Sequence, residues 1–157
     1  MITVTKFNEL LENLNACEQA REWANGKTWQ EVFDTCHRGD WLLWLFARTN
    51  PNDLQLLTLA KGHCTNTVRH LMKDKRSIKA VDTAIAYGEG NATIKELNAA
   101  AAAAYAAAAA AAADADADAN AYAAAAAAAS GERIKNQKLT ADICRKFLPI
   151  EVWNIKN

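Results

Sequence analysis

A tract of alanine constrains the fold of this chain more than any other feature of its 157 residues. Between residues 99 and 129 the only positions that are not alanine are Tyr105, Asp114, Asp116, Asp118, Asn120 and Tyr122. Alanine is the best helix former and loses no side-chain entropy when it becomes ordered. The tract is therefore predicted to be helical, and its low content of reactive side chains favours a binding or scaffolding role.

Residues that flank the tract predict where this helix begins and ends. Thr93 and Glu96 have the spacing of a capping box, in which each side chain bonds the other residue's free backbone amide. Ser130 and Gly131 follow the tract and are typical of a helix C-terminus. We therefore expect one alanine-rich helix over about residues 93–130.

The large side chains of the tract fall on one face of the predicted helix. Leu97, Tyr105 and Tyr122 lie within an arc of roughly 100° on a helical wheel, the width of a core-facing stripe. We expect this stripe to pack against the other helices. An alternative stays open, because close-packed alanine faces also favour self-association into a homo-oligomer. An ice-binding helix is disfavoured because the tract contains no threonine.

Helical periodicity continues through the rest of the chain, and no segment alternates apolar and polar residues as a half-buried strand does. Thr28 and Glu31 form a second capping box, and Asn50-Pro51 breaks the chain. These signals predict an all-α fold of about eight helices in a single domain, residues 1–157.

One predicted helix stands out because the run from Trp41 to Ala47 is apolar on every face. Asp40 is expected to cap its N-terminus, after Gly39 has ended the preceding helix. A helix without a polar side belongs at the centre of a domain. We therefore expect the other helices to surround it, and Asp40, Trp41 and Trp44 to be mainly structural.

The C-terminal segment is predicted to be a short helix with a docked tail. Thr140 can cap a helix that runs through Phe147 and ends at Pro149. The tail that follows, with Trp153, is too apolar to be left in water.

Charge excludes some classes of partner. Basic and acidic residues both total 18, so the net charge is zero and no general attraction to nucleic acid or to an anionic membrane is expected. Aspartates inside the alanine tract would be costly at bilayer depth, so the tract is not predicted to span a membrane.

Cysteine usage and the N-terminus bear on the compartment. The cysteines are widely spaced among apolar helical residues, which predicts buried free thiols in a reducing compartment. No signal peptide is recognised at the N-terminus. The four cysteines are Cys17, Cys36, Cys64 and Cys144.

The sequence contains no motif for catalysis or for metal binding. His63 and His70 are separated by about 10 Å along a helix at the standard rise, too far to share one zinc ion. Cys36 and His37 are helical neighbours that do not face each other, although a tertiary cysteine-histidine pair stays open. We therefore expect a protein that is not an enzyme and that needs neither a metal nor a cofactor.

A basic cluster lies across one predicted helix junction. It contains Arg69, Lys73, Lys75, Arg76 and Lys79. The simple interpretation is a solvated junction whose first members complement a helix C-terminal dipole. The alternative is an anion site for a phosphate-bearing ligand or an acidic partner, because arginine pairs well with both.

The segment Arg38-Gly39-Asp40-Trp41-Leu42-Leu43-Trp44-Leu45 is the most specific part of a match that extends from Ala16-Cys17 to Leu148-Pro149. In these stretches the chain resembles the alanine-rich Imm5-like family of immunity proteins, which occur beside bacterial toxin genes and in phage genomes. The resemblance implies an all-α protein of the bacterial cytoplasm that neutralises something by binding it.

These observations lead us to expect a non-enzymatic immunity-type protein that occludes a toxin or a host or phage factor. The candidate contact residues are arginines, which suit interface ion pairs, namely Arg38, Arg48, Arg69, Arg76 and Arg145. Two other classes stay open. One is an anti-defence protein that sequesters a nucleotide or other anion near Arg69, Lys73 and Arg76, and the other is a structural protein that self-assembles through the alanine helix.

Overall fold

The structure is a computed structural model that describes residues 2–115 and 130–155. These residues form eight α-helices and two 3₁₀ turns and contain no strand, which confirms the all-α prediction. The helices are α1 (Val4–Asn13), α2 (Glu18–Ala24), α3 (Trp29–Thr35), α4 (Gly39–Thr49), α5 (Leu54–Asn66), α6 (Lys75–Gly88), α7 (Ile94–Ala115) and α8 (Ser130–Phe147), with 3₁₀ turns at Arg69–Leu71 and Ile150–Val152.

The helices pack in a chain of neighbours. α7 packs on α6, α6 packs on α5, and α5 contacts both α4 and α8, which also pack on each other. The largest fully buried side chains come from α1, α4 and α8 and from the residue that follows α8; they are Phe7, Phe46, Leu42, Leu148 and Cys144.

The C-terminal tail docks as the sequence predicts. Trp153 is buried, and its ring centroid lies 4.8 Å from that of Trp29 and 5.0 Å from that of Phe46. Asn50 holds the backbone on either side of this residue, because its Nδ2 donates to the Val152 carbonyl at 2.9 Å and its Oδ1 accepts from the Asn154 amide at 3.1 Å. The tail is therefore part of the core.

The predicted capping box is confirmed at the start of α3, and one of its two hydrogen bonds is found at the start of α7. The Thr28 amide donates to Glu31 Oε2 at 2.7 Å, and the Glu31 amide donates to Thr28 Oγ1 at 3.2 Å. At the start of α7 the Glu96 amide donates to Thr93 Oγ1 at 3.2 Å. Both starts follow from side chains three residues apart, which is why the sequence predicts them.

The predicted start of α4 is wrong. The N-cap is Arg38, so Gly39 begins the helix and Asp40 lies in its first turn. The preceding helix has already ended, at Thr35. The reason is tertiary, because a Cβ on Gly39 would come within 2.6 Å of the Thr140 carbonyl carbon. Close packing of α4 on α8 therefore requires the glycine.

The predicted boundaries around α8 are also wrong. Ser130 and Gly131 lie inside the first turn of α8, and Thr140 lies within the helix instead of capping it. Six of the first ten residues of α8 are strong helix formers and no proline interrupts them. The Thr140 hydroxyl donates to the Gln137 carbonyl at 3.0 Å, within the same helix. Residues 116–129 of the predicted alanine helix lie outside the described residues.

The predicted core-facing stripe of α7 is only partly right. Tyr105 is 79% exposed, whereas Ala100 is 7% exposed and Leu97 is half-buried. Ala104 lines a small cleft with residues of α5 and α6. The packed face therefore follows the small side chains, because methyl groups allow a close approach of α6 where a tyrosine would hold it off. Tyr122 lies outside the described residues.

The cysteines are free, as predicted, but only three of them are buried. Cys36, Cys64 and Cys144 are buried, and the sulfurs of the last two lie 3.8 Å apart between α5 and α8. Cys17 is exposed, contrary to expectation, because it is the N-cap residue of α2.

In the described parts of the chain no helix is long and apolar enough to cross a membrane.

Candidate functional site

A cavity of about 490 Å³ lies between α1, α2 and α4, and we call it the α1–α4 cavity. Ligand pockets in proteins commonly have volumes of about 300–1,000 Å³. The inner wall is aliphatic and buried, with Leu11 from α1 and Leu42 from α4. The outer wall contains three half-buried indoles, those of Trp23, Trp41 and Trp44.

The apolar pattern of α4 builds one side of this cavity. Leu42, Leu45 and Phe46 turn into the core. Trp41 and Trp44 lie on the neighbouring face, where they line the cavity. The prediction that the other helices surround this apolar helix is only partly right, because α4 packs on α5 and α8 but leaves Trp41 and Trp44 half-buried. Its second apolar face is available to a ligand or a partner.

An aromatic cluster forms the rim next to α2. The ring centroids of Trp23 and Trp41 are 6.1 Å apart, and the His37 ring lies 5.6 Å from the first and 5.9 Å from the second. Lys27 places its ammonium 4.7 Å from the Trp23 ring centroid and donates to the Trp23 carbonyl. These contacts fix the orientation of the rings.

Arg38 and Asp40 form an ion pair at the same rim. Arg38 donates from Nε and from a terminal nitrogen to the two oxygens of Asp40, at 2.8 and 2.6 Å. Its guanidinium also lies 4.6 Å from the centroid of the Trp41 ring. The hydrogen bond from Arg38 lowers the pKa of Asp40, and the same bond raises the pKa of Arg38. Both side chains of the pair are therefore ionised, and their net charge is zero.

The lowered pKa of Asp40 predicts how this ion pair responds to acid. A carboxylate whose folded-state pKa is depressed stabilises the fold above its unfolded pKa of about 4, and this stabilisation is lost as the pH falls towards the folded value. We expect wild type to exceed Asp40→Asn in unfolding free energy by up to about 1 kcal/mol at pH 6, the range for exposed pairs.

Urea unfolding of both proteins from pH 6 to pH 2 measures this difference, and the other carboxylates cancel because both proteins contain them. The difference in unfolding free energy between wild type and Asp40→Asn should shrink below about pH 4. At pH 6 the same difference should shrink when the salt concentration is raised. A difference that stays constant down to pH 2 would contradict the pairing.

A second tryptophan-arginine stack lies further along α4. The Arg48 guanidinium is 5.5 Å from the Trp44 ring centroid. Arg48 is exposed and Trp44 is half-buried. Residues 38, 41, 44 and 48 follow helical spacing, so the two stacks share one face of α4. We call this set the α4 edge.

Two thiols line the cavity, and one of them is chemically quiet. Burial raises the pKa of the Cys36 thiol, which donates to the Arg38 carbonyl at 3.5 Å. A protonated thiol is a poor nucleophile and a poor metal ligand. Among the described side chains no group of three or more histidine, cysteine or acidic residues could hold a metal ion.

His63 stacks flat against Phe147, with ring centroids 4.0 Å apart.

In the predicted basic site at residues 69–79, both arginines are paired with carboxylates, while the three lysines are exposed. Arg69 binds both carboxylate oxygens of Asp82. Arg76 binds Asp74, the N-cap residue of α6, at 3.0 and 2.8 Å, and this lowers the pKa of Asp74 to about 2. Lys73 is exposed between the two pairs in sequence. None of these residues lines the α1–α4 cavity.

Arg145 has a structural position. Its guanidinium donates to the carbonyls of Phe33 and Cys36 at 3.0 and 2.8 Å, and to Asp142 at 2.7 Å. It therefore satisfies the free carbonyls at the end of α3. Of the arginines selected from the sequence, Arg38 and Arg48 lie along α4, whereas Arg69, Arg76 and Arg145 bind partners outside α4.

Sequence reasoning missed the tryptophans of this site. Trp41 and Trp44 were expected to be mainly structural, and Trp23 was not selected as a site residue. One signal could have found them. α4 has eleven residues with apolar side chains on every face, and packing against the core covers only one of these faces. The second apolar face therefore indicates a further contact surface.

Comparisons of the chain with family models, with curated proteins and with solved structures find no match.

Proposed function

We propose that this protein is a non-enzymatic binding protein of the immunity type, which uses the α4 edge to occlude a toxin or a host or phage factor. The observation that carries the proposal is the pair of tryptophan-arginine stacks, Arg38 on Trp41 and Arg48 on Trp44. Tryptophan and arginine dominate the residues that carry binding energy at protein interfaces.

The position of the α4 edge in the sequence adds support. The segment from Arg38 to Leu45 is the one that most specifically resembles the Imm5-like family, and it is also the wall of the cavity. The thiol of Cys36 is kept protonated by burial and the cation of Arg38 is paired, so the site is equipped to bind rather than to react. We place this activity in the bacterial cytoplasm, in accord with the free buried thiols.

Affinity capture from infected and uninfected bacterial host cells tests the proposal. The tagged wild type should enrich one protein, and Arg48→Glu should reduce its recovery about tenfold or more, since this arginine is exposed and stacks on Trp44 in the α4 edge. The matched control is Arg133→Glu, an exposed arginine of α8 that lies outside the α4 edge.

Occlusion makes a further demand on the captured protein. The activity of the captured protein, or its toxicity on expression, should fall when a stoichiometric amount of the wild-type binding protein is present. The same amount of the Arg48→Glu variant should leave that activity or toxicity unchanged. Equal recovery by wild type and Arg48→Glu, or full activity of the captured protein in the complex, would count against the proposal.

A second candidate, sequestration of a small ligand, is favoured by the volume of the α1–α4 cavity. The version that places a nucleotide or other anion near Arg69, Lys73 and Arg76 loses support because both arginines already bind carboxylates. Self-assembly through the alanine helix stays a prediction. Exposed Tyr105 is compatible with it, and the part of that face after residue 106 lies beyond the described side chains.

A further inference from the structure

We infer that the α1–α4 cavity binds a small, uncharged molecule with a fused aromatic ring system, a site that goes beyond occlusion of a protein partner. The volume supports such a ligand. An apolar cavity of about 150 Å³ is enough to hold benzene, whereas this one measures about 490 Å³. The space therefore suits two or three fused rings.

The walls define the chemistry of the ligand. Trp23 and Trp41 meet at 50° with centroids 6.1 Å apart, so together they make a tilted aromatic wall with no slot between parallel rings. Trp44 extends that wall, and Leu42 and Leu45 close the cavity on the core side. A flat ring laid in this space gains edge-to-face contacts with indoles as well as the burial of apolar area.

The charges exclude an ionic ligand. Arg38 and Asp40 are the only charged residues among those that line the cavity, and each is already the partner of the other. A bound anion would have to displace the Asp40 carboxylate from Arg38, and a bound cation would have to displace Arg38 from Asp40. Either ion would otherwise lose its hydration without a compensating partner. The neutral pair therefore selects for uncharged molecules.

The polar groups at the mouth allow at most limited hydrogen bonding. Asn15 and Gln19 line the cavity from exposed positions of the α1–α2 turn and α2. Ligand pockets commonly use a few such groups to fix orientation within an apolar space. A ring system with one or two polar atoms fits this distribution better than a sugar or a peptide.

Two dyes with the same aromatic skeleton test this inference on the isolated protein. N-phenyl-1-naphthylamine is uncharged, and 1-anilinonaphthalene-8-sulfonate adds one sulfonate. Titrations followed by dye fluorescence should give saturable binding of the uncharged dye, one per chain, with a roughly micromolar Kd. The sulfonated dye should bind at least about tenfold more weakly.

Variants that fill the cavity locate the binding. Ala20→Trp places an indole in the space, and Gln19→Trp does so from an exposed position where the chain tolerates a large side chain. Ala20→Trp should weaken the uncharged dye about tenfold or more. Gln19→Trp should weaken it in the same direction. The matched control Ala99→Trp, at an exposed position of α7, should leave binding unchanged.

Absence of saturable binding overturns the inference, as does equal affinity for the two dyes or binding that both filled variants retain. The outcome is separate from that for the proposed function, because Arg48 does not line the cavity. Arg48→Glu should bind the uncharged dye like wild type even where it no longer captures the partner protein.

Discussion

Replacing Trp153 by alanine is expected to lower the unfolding free energy by about 4 kcal/mol, within the range for truncating a buried aromatic side chain. The ring is 5% exposed and contacts aromatic residues from two helices, Trp29 of α3 and Phe46 of α4. Its Nε1 donates to the Leu148 carbonyl at 2.9 Å. The alanine variant therefore leaves a cavity and an unpaired carbonyl together.

Urea unfolding with a check of the m-value measures this change. Trp153→Phe is the matched comparison, because it keeps a ring in the cluster and removes the indole N–H. We expect it to cost about 2 kcal/mol, chiefly the unsatisfied Leu148 carbonyl and the smaller ring. A loss below about 1 kcal/mol in the alanine variant would mean that the tail is not docked in solution.

The second large effect is expected at Gly39, where alanine should destabilise the fold by about 3 kcal/mol, the upper part of the range for overpacking. A Cβ there would meet the Thr140 side chain and come within 2.6 Å of the Thr140 carbonyl carbon. The obstacle includes backbone, so α4 and α8 would have to move apart. Thr140→Ala should not rescue the variant because that carbonyl carbon remains.

Gly26→Ala is the control for this substitution. A Cβ added at Gly26 would meet no atom within 4 Å, but the φ of this residue is +78°, which a residue with a Cβ rarely adopts. It should therefore cost only about 1 kcal/mol, the conformational penalty without a clash. Thermal and urea unfolding of the two alanine variants separate these causes. Comparable losses in both would show that α4 and α8 are not in close contact at Gly39.

The Gly39 contact also explains why part of the candidate site could not be predicted from the sequence. As a sequence, Arg38-Gly39-Asp40 reads as a helix end followed by a helix cap. In the fold, Gly39 serves the packing of α4 on α8, which leaves Arg38 and Asp40 free to pair with each other beside Trp41. The partner that decides this arrangement, Thr140, lies about a hundred residues away in the chain.

The same distinction separates the arginines. The sequence shows that Arg69 and Arg76 lie in a basic stretch across a predicted helix junction. It does not show that Arg69 reaches Asp82 across two elements. Side chains thirteen residues apart meet only because the 3₁₀ turn after α5 lies beside α6. Pairing of this kind occupies both arginines of the predicted anion site.

Several features of the fold are specified by short stretches of sequence. The alanine content makes α7 helical, and side chains three residues apart set the starts of α3 and α7. Apolar spacing selects the buried faces, including that of Trp29 and Phe33 on α3. Each of these features depends on hydrogen bonds or periodicity within a few residues, so a short stretch of chain contains all the information.

The places where the helices meet depend on the complete fold. The α1–α4 cavity takes its walls from helices and turns spread over the first third of the chain. The face of α7 that packs was decided by how closely α6 can approach small side chains rather than by the position of Tyr105. These outcomes depend on distances between helices, and such distances follow from the packing of many side chains at once.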